Sequence, residues 1–344
     1  VERDESDGKV HGDPAVERLV NKPWWRTEEK GEGGFEAMSA SNLERVLKSG
    51  SFAVTGECGP PRGADAEVIR KKGAHLKGYV DGVNVTDNQT SVVRMSSFAS
   101  SLVLKEMGFD PIMQMVCRDR NRIAIQSDVL GAAALGINNL LCLSGDHQKF
   151  GDHPTAKNVY DIDSMQLIQT LKRLRDEGKF LGGEEVKGRP DMFIGCAENP
   201  FADPFEIRAM RLAKKAAAGA QFVQTQCIFN LDKFEKWMEM VRDLGVHEKI
   251  YILAGITPCK SIGMARYMKT SVPGMDVPDA LIDRLKGVSK EKVSEEGIKI
   301  AVETIQRVRA IKGVAGVHLM AIEWEERVPE MVQAAGLYPR PQVN

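Results

Sequence analysis

The 344-residue sequence predicts an α/β fold, a (β/α)8 TIM barrel with an N-terminal extension and a helical insertion before the last strand. Three observations predict it. Eight short β-rich runs recur from residue 51 onward, segments with helical spacing separate them, and the alternation fills about 290 residues, the size and order of such a barrel. A doubly wound open sheet shares the alternation but more often stops at fewer strands.

Residues 1–50 read as an extension wrapping a core, with VERDESDGKVHGD charged and NKPWWRTEEKGEGG offering Trp24 and Trp25 as anchors. FEAMSASNLERVLKSG then supplies Ser39 or Ser41 as the cap of a short amphipathic helix. The barrel proper, residues 51–344, opens with the strand FAVTGE (52–57). Further strands are YVDGVNVT (79–86), IMQMVC (112–117), NNLLCLS (138–144), MFIGCA (192–197), QFVQTQ (221–226), KIYILAG (249–255) and GVHLMA (316–321). Helical spacing marks SSFASSLVLKEMG (96–108), IAIQSDVLGAAALG (123–136), DSMQLIQTLKRLRDEG (163–178), PFEIRAMRLAKKAAAG (204–219) and LDKFEKWMEMVRDLG (231–245). DALIDRLKG and VSEEGIKIAVETIQRVRAIKG form the inserted block between the seventh and eighth strands, and EERVPEMVQAAG (325–336) is the last helix.

With 42% hydrophobic and 28% charged residues the chain has ordinary globular composition. A formal net charge of -1 argues against nucleic acid as a partner, because backbone binding needs a clustered cationic face. No apolar run approaches the roughly 20 residues that span a bilayer, and the polar opening VERDESDGKVHGDP lacks a signal-peptide pattern. A soluble cytoplasmic protein is expected, with no membrane partner. The six cysteines form no CxxC pair and sit in or beside apolar runs, which points to free buried thiols rather than zinc or iron–sulfur ligands.

In a barrel, chemistry sits at the C-terminal strand ends. Those ends carry Glu57, Thr86-Asp87, Cys117-Arg118, Ser144-Gly145-Asp146, Glu198-Asn199, Gln226 and Glu323. So many polar groups cannot fill interior layers, so they are expected to line a wet or ligand-filled mouth. Glu57 closes the first strand, and Pro60 and Pro61 carry the chain away stiffly after Gly59. A carboxyl over a partly dry pocket suits general-acid work; the plain alternative is a rim glutamate paired with Arg62. CLSGDHQ (142–148) is a strand and glycine turn bearing Asp146, and the nearby His147, Asp152 and His153 are too loosely spaced to predict a metal. Arg208, Arg211 and Lys215 fall on one helical face, where they neutralise a diphosphate or form a solvated stripe.

Together these stretches resemble the methylenetetrahydrofolate reductase family, flavin-bearing barrels, over about residues 50–340. ECGPPR places Glu57 where the family has its catalytic glutamate. VNVT (83–86) resembles the motif whose threonine, Thr86, touches the flavin, and LSGD (143–146) the motif of Leu143, Ser144, Gly145 and the flavin-side Asp146. AGAQFVQTQCIF (218–229) resembles the stretch leading to the folate-binding glutamine, Gln226. Tyr160 and Lys215 are similar to a flavin-contacting tyrosine and to a lysine aimed at the flavin phosphates, with Arg211 beside it. Gln114 stands where many relatives have histidine, Ser144 replaces an arginine, and Ile262 replaces a stacking aromatic residue.

The resemblance implies reduction of methylenetetrahydrofolate to methyltetrahydrofolate on a flavin, FAD or FMN, with NADH or NADPH as reductant. Glu57 would assist ring opening by protonating N10, Asp146 would favour the N5 iminium cation, and Gln226 would read the pterin edge. Two other readings stay open: a barrel subunit taking electrons from a redox partner protein, and a pterin-dependent methyltransferase. A homo-oligomer is equally compatible with the sequence.

Overall fold

The computed structural model of the chain describes residues 41–272 and 274–343, so the expected anchors Trp24 and Trp25 and the candidate cap Ser39 lie outside the described residues. Eight parallel strands close in chain order into a barrel: β1 (Ala53–Cys58), β2 (Gly82–Val85), β3 (Pro111–Val116), β4 (Asn139–Leu143), β5 (Phe193–Glu198), β6 (Phe222–Cys227), β7 (Tyr251–Ile256) and β8 (Val314–Leu319). Closure is direct, with Ala53 of β1 opposite Gly316 of β8 and Thr55 opposite Gly82 of β2.

Before β1 lies helix α1 (Asn42–Lys48), capped by Ser41, whose side chain accepts from the Glu44 amide. Leu43, Val46 and Leu47 of α1 pack on Ala53, Ile112, Leu141, Phe193, Phe222 and Leu253, the residues that fill the base of the barrel. Stacked Phe193 and Phe222 rings, with centroids 4.8 Å apart, occupy the middle of that base. Gly195 leaves room for them, since a Cβ there would lie 2.2 Å from the Phe222 ring.

The outer helices are α2 (Ala66–Leu76), α3 (Ser97–Glu106), α4 (Arg122–Ala134), α5 (Ser164–Lys172), α6 (Arg208–Ala218) and α7 (Leu231–Asp243). Between β7 and β8 come α8 (Ile262–Ser271), α9 (Asp279–Lys286) and α10 (Val293–Arg309), and α11 (Val328–Ala334) follows β8. The expected insertion is therefore present, and α8 to α10 enclose a small apolar cluster of their own around Ala265, Ile282 and Leu285. Helices α2 and α8 were not singled out from the sequence.

Most expected elements shift by a residue or more at their edges, three of them instructively. The second strand starts at Gly82 rather than Tyr79, because Asp81 turns its carboxylate to the Val54 amide (2.7 Å) and to Arg340 (2.6 Å). The helix expected over 163–178 is α-helical only to Lys172 and then widens into a π turn ended by Gly178, at φ 63°. The helix expected from Pro204 begins as a 3-10 turn, Phe205–Ile207, before α6. Among the described residues no helix is long and apolar enough to cross a membrane, and all six cysteines are free and buried.

Candidate active site

Side chains alternate along a strand, and that parity builds the site in layers. On β1, Ala53 joins the base, Thr55 sits in the bore and Glu57 reaches the mouth; on β6 the same places go to Phe222, Gln224 and Gln226. The cavity above the base has a volume of about 290 Å³, near the lower end of ligand clefts. Its wall takes Glu57 from β1, Asn84 and Thr86 from β2, Gln114 from β3, Leu143 from β4 and His318 from β8. Leu141 belongs both to the cavity and to the base, so it marks the floor.

Beneath Glu57 lies a polar layer. His318, fully inside the bore, has Nδ1 3.0 Å from Thr55 Oγ1 and Nε2 3.4 Å from the Asn84 amide nitrogen. Glu57 Oε2 stands 3.6 Å from His318 Nε2, outside direct hydrogen-bond range and within reach of a bridging water. Gln224 donates to Thr55 Oγ1 at 3.3 Å. Three buried polar atoms of this wall, Asn84 Oδ1, Thr86 Oγ1 and Gln224 Oε1, have no hydrogen-bond partner. Unpaired buried polar atoms are rare, and three in one cavity fit a flat heterocycle with hydrogen-bonding edges.

The structure brings together Glu57, Thr86, Gln114, Leu143, Lys215 and Gln226, and leaves Ser144, Gly145, Asp146, Tyr160 and Arg211 outside the cavity lining. Gln226 Oε1 accepts the Cys227 amide at 3.1 Å, which leaves its Nε2 to donate into the cavity. Asp146 is exposed: its Oδ2 accepts the Thr90 amide at 3.1 Å and its carbonyl accepts from Ser91 and Arg118. Ser144 is exposed against Ser164, Oγ to Oγ 3.1 Å. Gly145, at φ 90°, lets this turn press on Val116 and Arg118, to which a Cβ would come within 3.0 and 3.1 Å. Tyr160 donates its hydroxyl to the Gly145 carbonyl at 3.3 Å.

That rim is held by Arg118, buried and hydrogen-bonded to Asp119, Ser91, Asn88 and Asp146. Its segments include Asn88, Thr90, Ser91 and Tyr160 at positive φ, a concentration of backbone strain at the mouth.

Two expectations need correction. Arg62 pairs with Asp152 at 2.6 Å and not with Glu57, so Glu57 is no rim glutamate of that kind. Arg208, Arg211 and Lys215 are not one solvated stripe. Arg211 is exposed, Arg208 is spent on the carbonyls of Ala202 and Asp203, and Lys215 is buried against Glu198 at 2.7 Å. The loop histidines take local partners, the Lys149 amide for His147 and Asp152 for His153, and no metal-holding group of three or more His, Cys, Asp or Glu occurs among the described residues.

Sequence reasoning passed over His318, Asn84 and Gln224. The available signal was a lone histidine inside an otherwise apolar strand, GVHLMA.

A family model described as methylenetetrahydrofolate reductase matches residues 42–336. A probable methylenetetrahydrofolate reductase (NADPH) of Caenorhabditis elegans is 26% identical over 259 residues, covering 73% of this chain and 36% of that protein. Methylenetetrahydrofolate reductase 1 of Schizosaccharomyces pombe is 26% identical over 241 residues, covering 69% and 37%. The chain thus spans little more than a third of the length of these relatives. Among solved structures, a Clostridium thermocellum protein described as binding two copies of 5-methyl-5,6,7,8-tetrahydrofolic acid superposes with a TM-score of 0.60 at 14% identity. It covers 86% of this chain and 98% of its own, a likeness of fold.

Proposed function

The chain belongs to the methylenetetrahydrofolate reductase family, and from that membership we propose that it reduces 5,10-methylenetetrahydrofolate to 5-methyltetrahydrofolate with a bound flavin. The observation that carries the proposal is Glu57 at the mouth of a cavity whose wall holds three unpartnered buried polar atoms. Thr86, Gln114 and Leu143 would hold the flavin ring on the β2–β4 side, with Ser144, Gly145, Asp146 and Tyr160 on the rim above. A bound flavin, FAD or FMN, reduced by NADH or NADPH, supplies the hydride.

Glu57 moves the proton. The methylene bridge resists hydride attack while two nitrogens hold it, and protonation at N10 opens the ring to an N5 iminium. A positioned general acid contributes about 10²–10⁴-fold. Thr55 and Asn84 orient His318 below Glu57, whose carboxylate stands 3.6 Å from its Nε2. Gln226 donates through Nε2 to an acceptor on the pterin edge. Asp146 sets a negative charge at the rim, favouring a cation as it forms.

The purified protein should release FAD or FMN on acid extraction, bleach anaerobically with NADH or NADPH, and recover its colour with methylenetetrahydrofolate. A colourless protein with no extractable flavin defeats the proposal. Bleaching by a copurifying protein and by neither nicotinamide would replace the reductant.

A further inference from the structure

We infer that Glu198 is a specificity residue that withholds Lys215 from phosphate, so that the cavity holds the flavin's ring system with little help from a phosphate tail. The inference rests on the flavin reading above. Glu198 ends β5 and Lys215 lies on α6, and both line the cavity. Strand parity turns Ala197 inward, and Glu198 meets α6 instead. There Lys215 Nζ donates to Glu198 Oε2 at 2.7 Å and to the Ala197 carbonyl at 2.5 Å.

Both side chains are more than nine-tenths buried, at 2% exposure for Glu198 and 9% for Lys215. The other carboxylate oxygen accepts the Asn199 amide at 3.2 Å and lies 4.0 Å from Arg208. Arg208 is itself committed to the Ala202 and Asp203 carbonyls. An ammonium with two anchored acceptors in a dry wall is not a vacant anion site. A phosphate arriving here would have to displace a carboxylate and then face its charge, and a buried charge stripped of its partner is costly. Arg211, one helical turn nearer the mouth, is exposed and carries no hydrogen bond or ion pair among the described residues. Phosphate affinity on this side of the barrel is therefore left to the exposed cations of α6, of which Arg211 is nearer the mouth than Lys214.

The test compares binding of riboflavin, which has no phosphate, with FMN, by fluorescence titration of flavin-depleted protein. In the parent the two dissociation constants should differ by less than about 10-fold, because an exposed cation is screened by salt. Glu198→Gln keeps an acceptor for Lys215 but removes the competing charge. It should tighten FMN by about 10-fold or more, the scale of one charge-assisted bond, with riboflavin unchanged. Arg211→Ala should weaken FMN alone, and the double variant Glu198→Gln, Lys215→Met should return the FMN-to-riboflavin ratio to the parent's.

A parent that prefers FMN by more than 100-fold overturns the inference without any variant. So does Glu198→Gln leaving the ratio unchanged or weakening FMN. If the parent binds none of riboflavin, FMN and FAD, the flavin reading falls and takes this inference with it.

Discussion

Glu57 owes its place to parity and to a break. Two residues above Thr55 and four above Ala53 on the same face of β1, it is carried to the cavity mouth. Glu57→Gln should keep the extractable flavin and its spectrum while lowering folate turnover by about 10²-fold or more, as loss of a general acid requires; undiminished turnover removes Glu57 from the chemistry. Its position was readable because an acid ending an apolar run before Pro-Pro is conspicuous. His318 was not, because a lone histidine in an apolar strand is more often a satisfied core residue. Its Thr55 and Asn84 neighbours lie 263 and 234 residues away and meet it only after the barrel closes. The Glu198–Lys215 pair was hidden for a related reason. Seventeen residues separate the two, and their contact depends on how α6 is rotated against β5.

At the level of elements, all eight strands were legible from their apolar runs, and the helices with a clear apolar face were legible from spacing. Helix α2 escaped because AEVIRKKGAHL is mostly polar and contacts the core through Ile69, Gly73 and Leu76. Gly73 packs where a Cβ would meet Leu104 and Met107 at 3.0–3.1 Å, a closeness that no periodicity reveals. Helix α1 depends on its cap. Ser41 accepts the Glu44 amide at 3.0 Å and donates to Asn139 Oδ1 at 2.5 Å, tying the helix to β4. Ser41→Ala should destabilise the protein by about 1–3 kcal/mol, from the lost cap and the stranded Asn139 acceptor. The change is read from the urea midpoint, and an unchanged midpoint would show that α1 holds without its cap.

For the whole molecule, burial of thiols sets an alkaline limit. Desolvation pushes Cys58, Cys117, Cys196 and Cys227 from the ordinary 9.0 up to about 12. Folded thiols stay protonated where unfolded ones ionise, so their contribution is complete below pH 9 and is lost progressively as pH rises from 9 toward 12. Urea midpoints should hold level up to about pH 9 and fall above it, with native thiols slow toward disulfide reagents until unfolding. A flat profile to pH 11 would contradict this. The base has a different bearing on how the molecule works. With α1, Phe193 and Phe222 sealing it and Leu141 as floor, the barrel is, among the described residues, a well closed at its base. If the proposed reaction holds, a flavin and a folate that must meet face to face would both have to pass that mouth, and whichever lies deeper would be covered by the other.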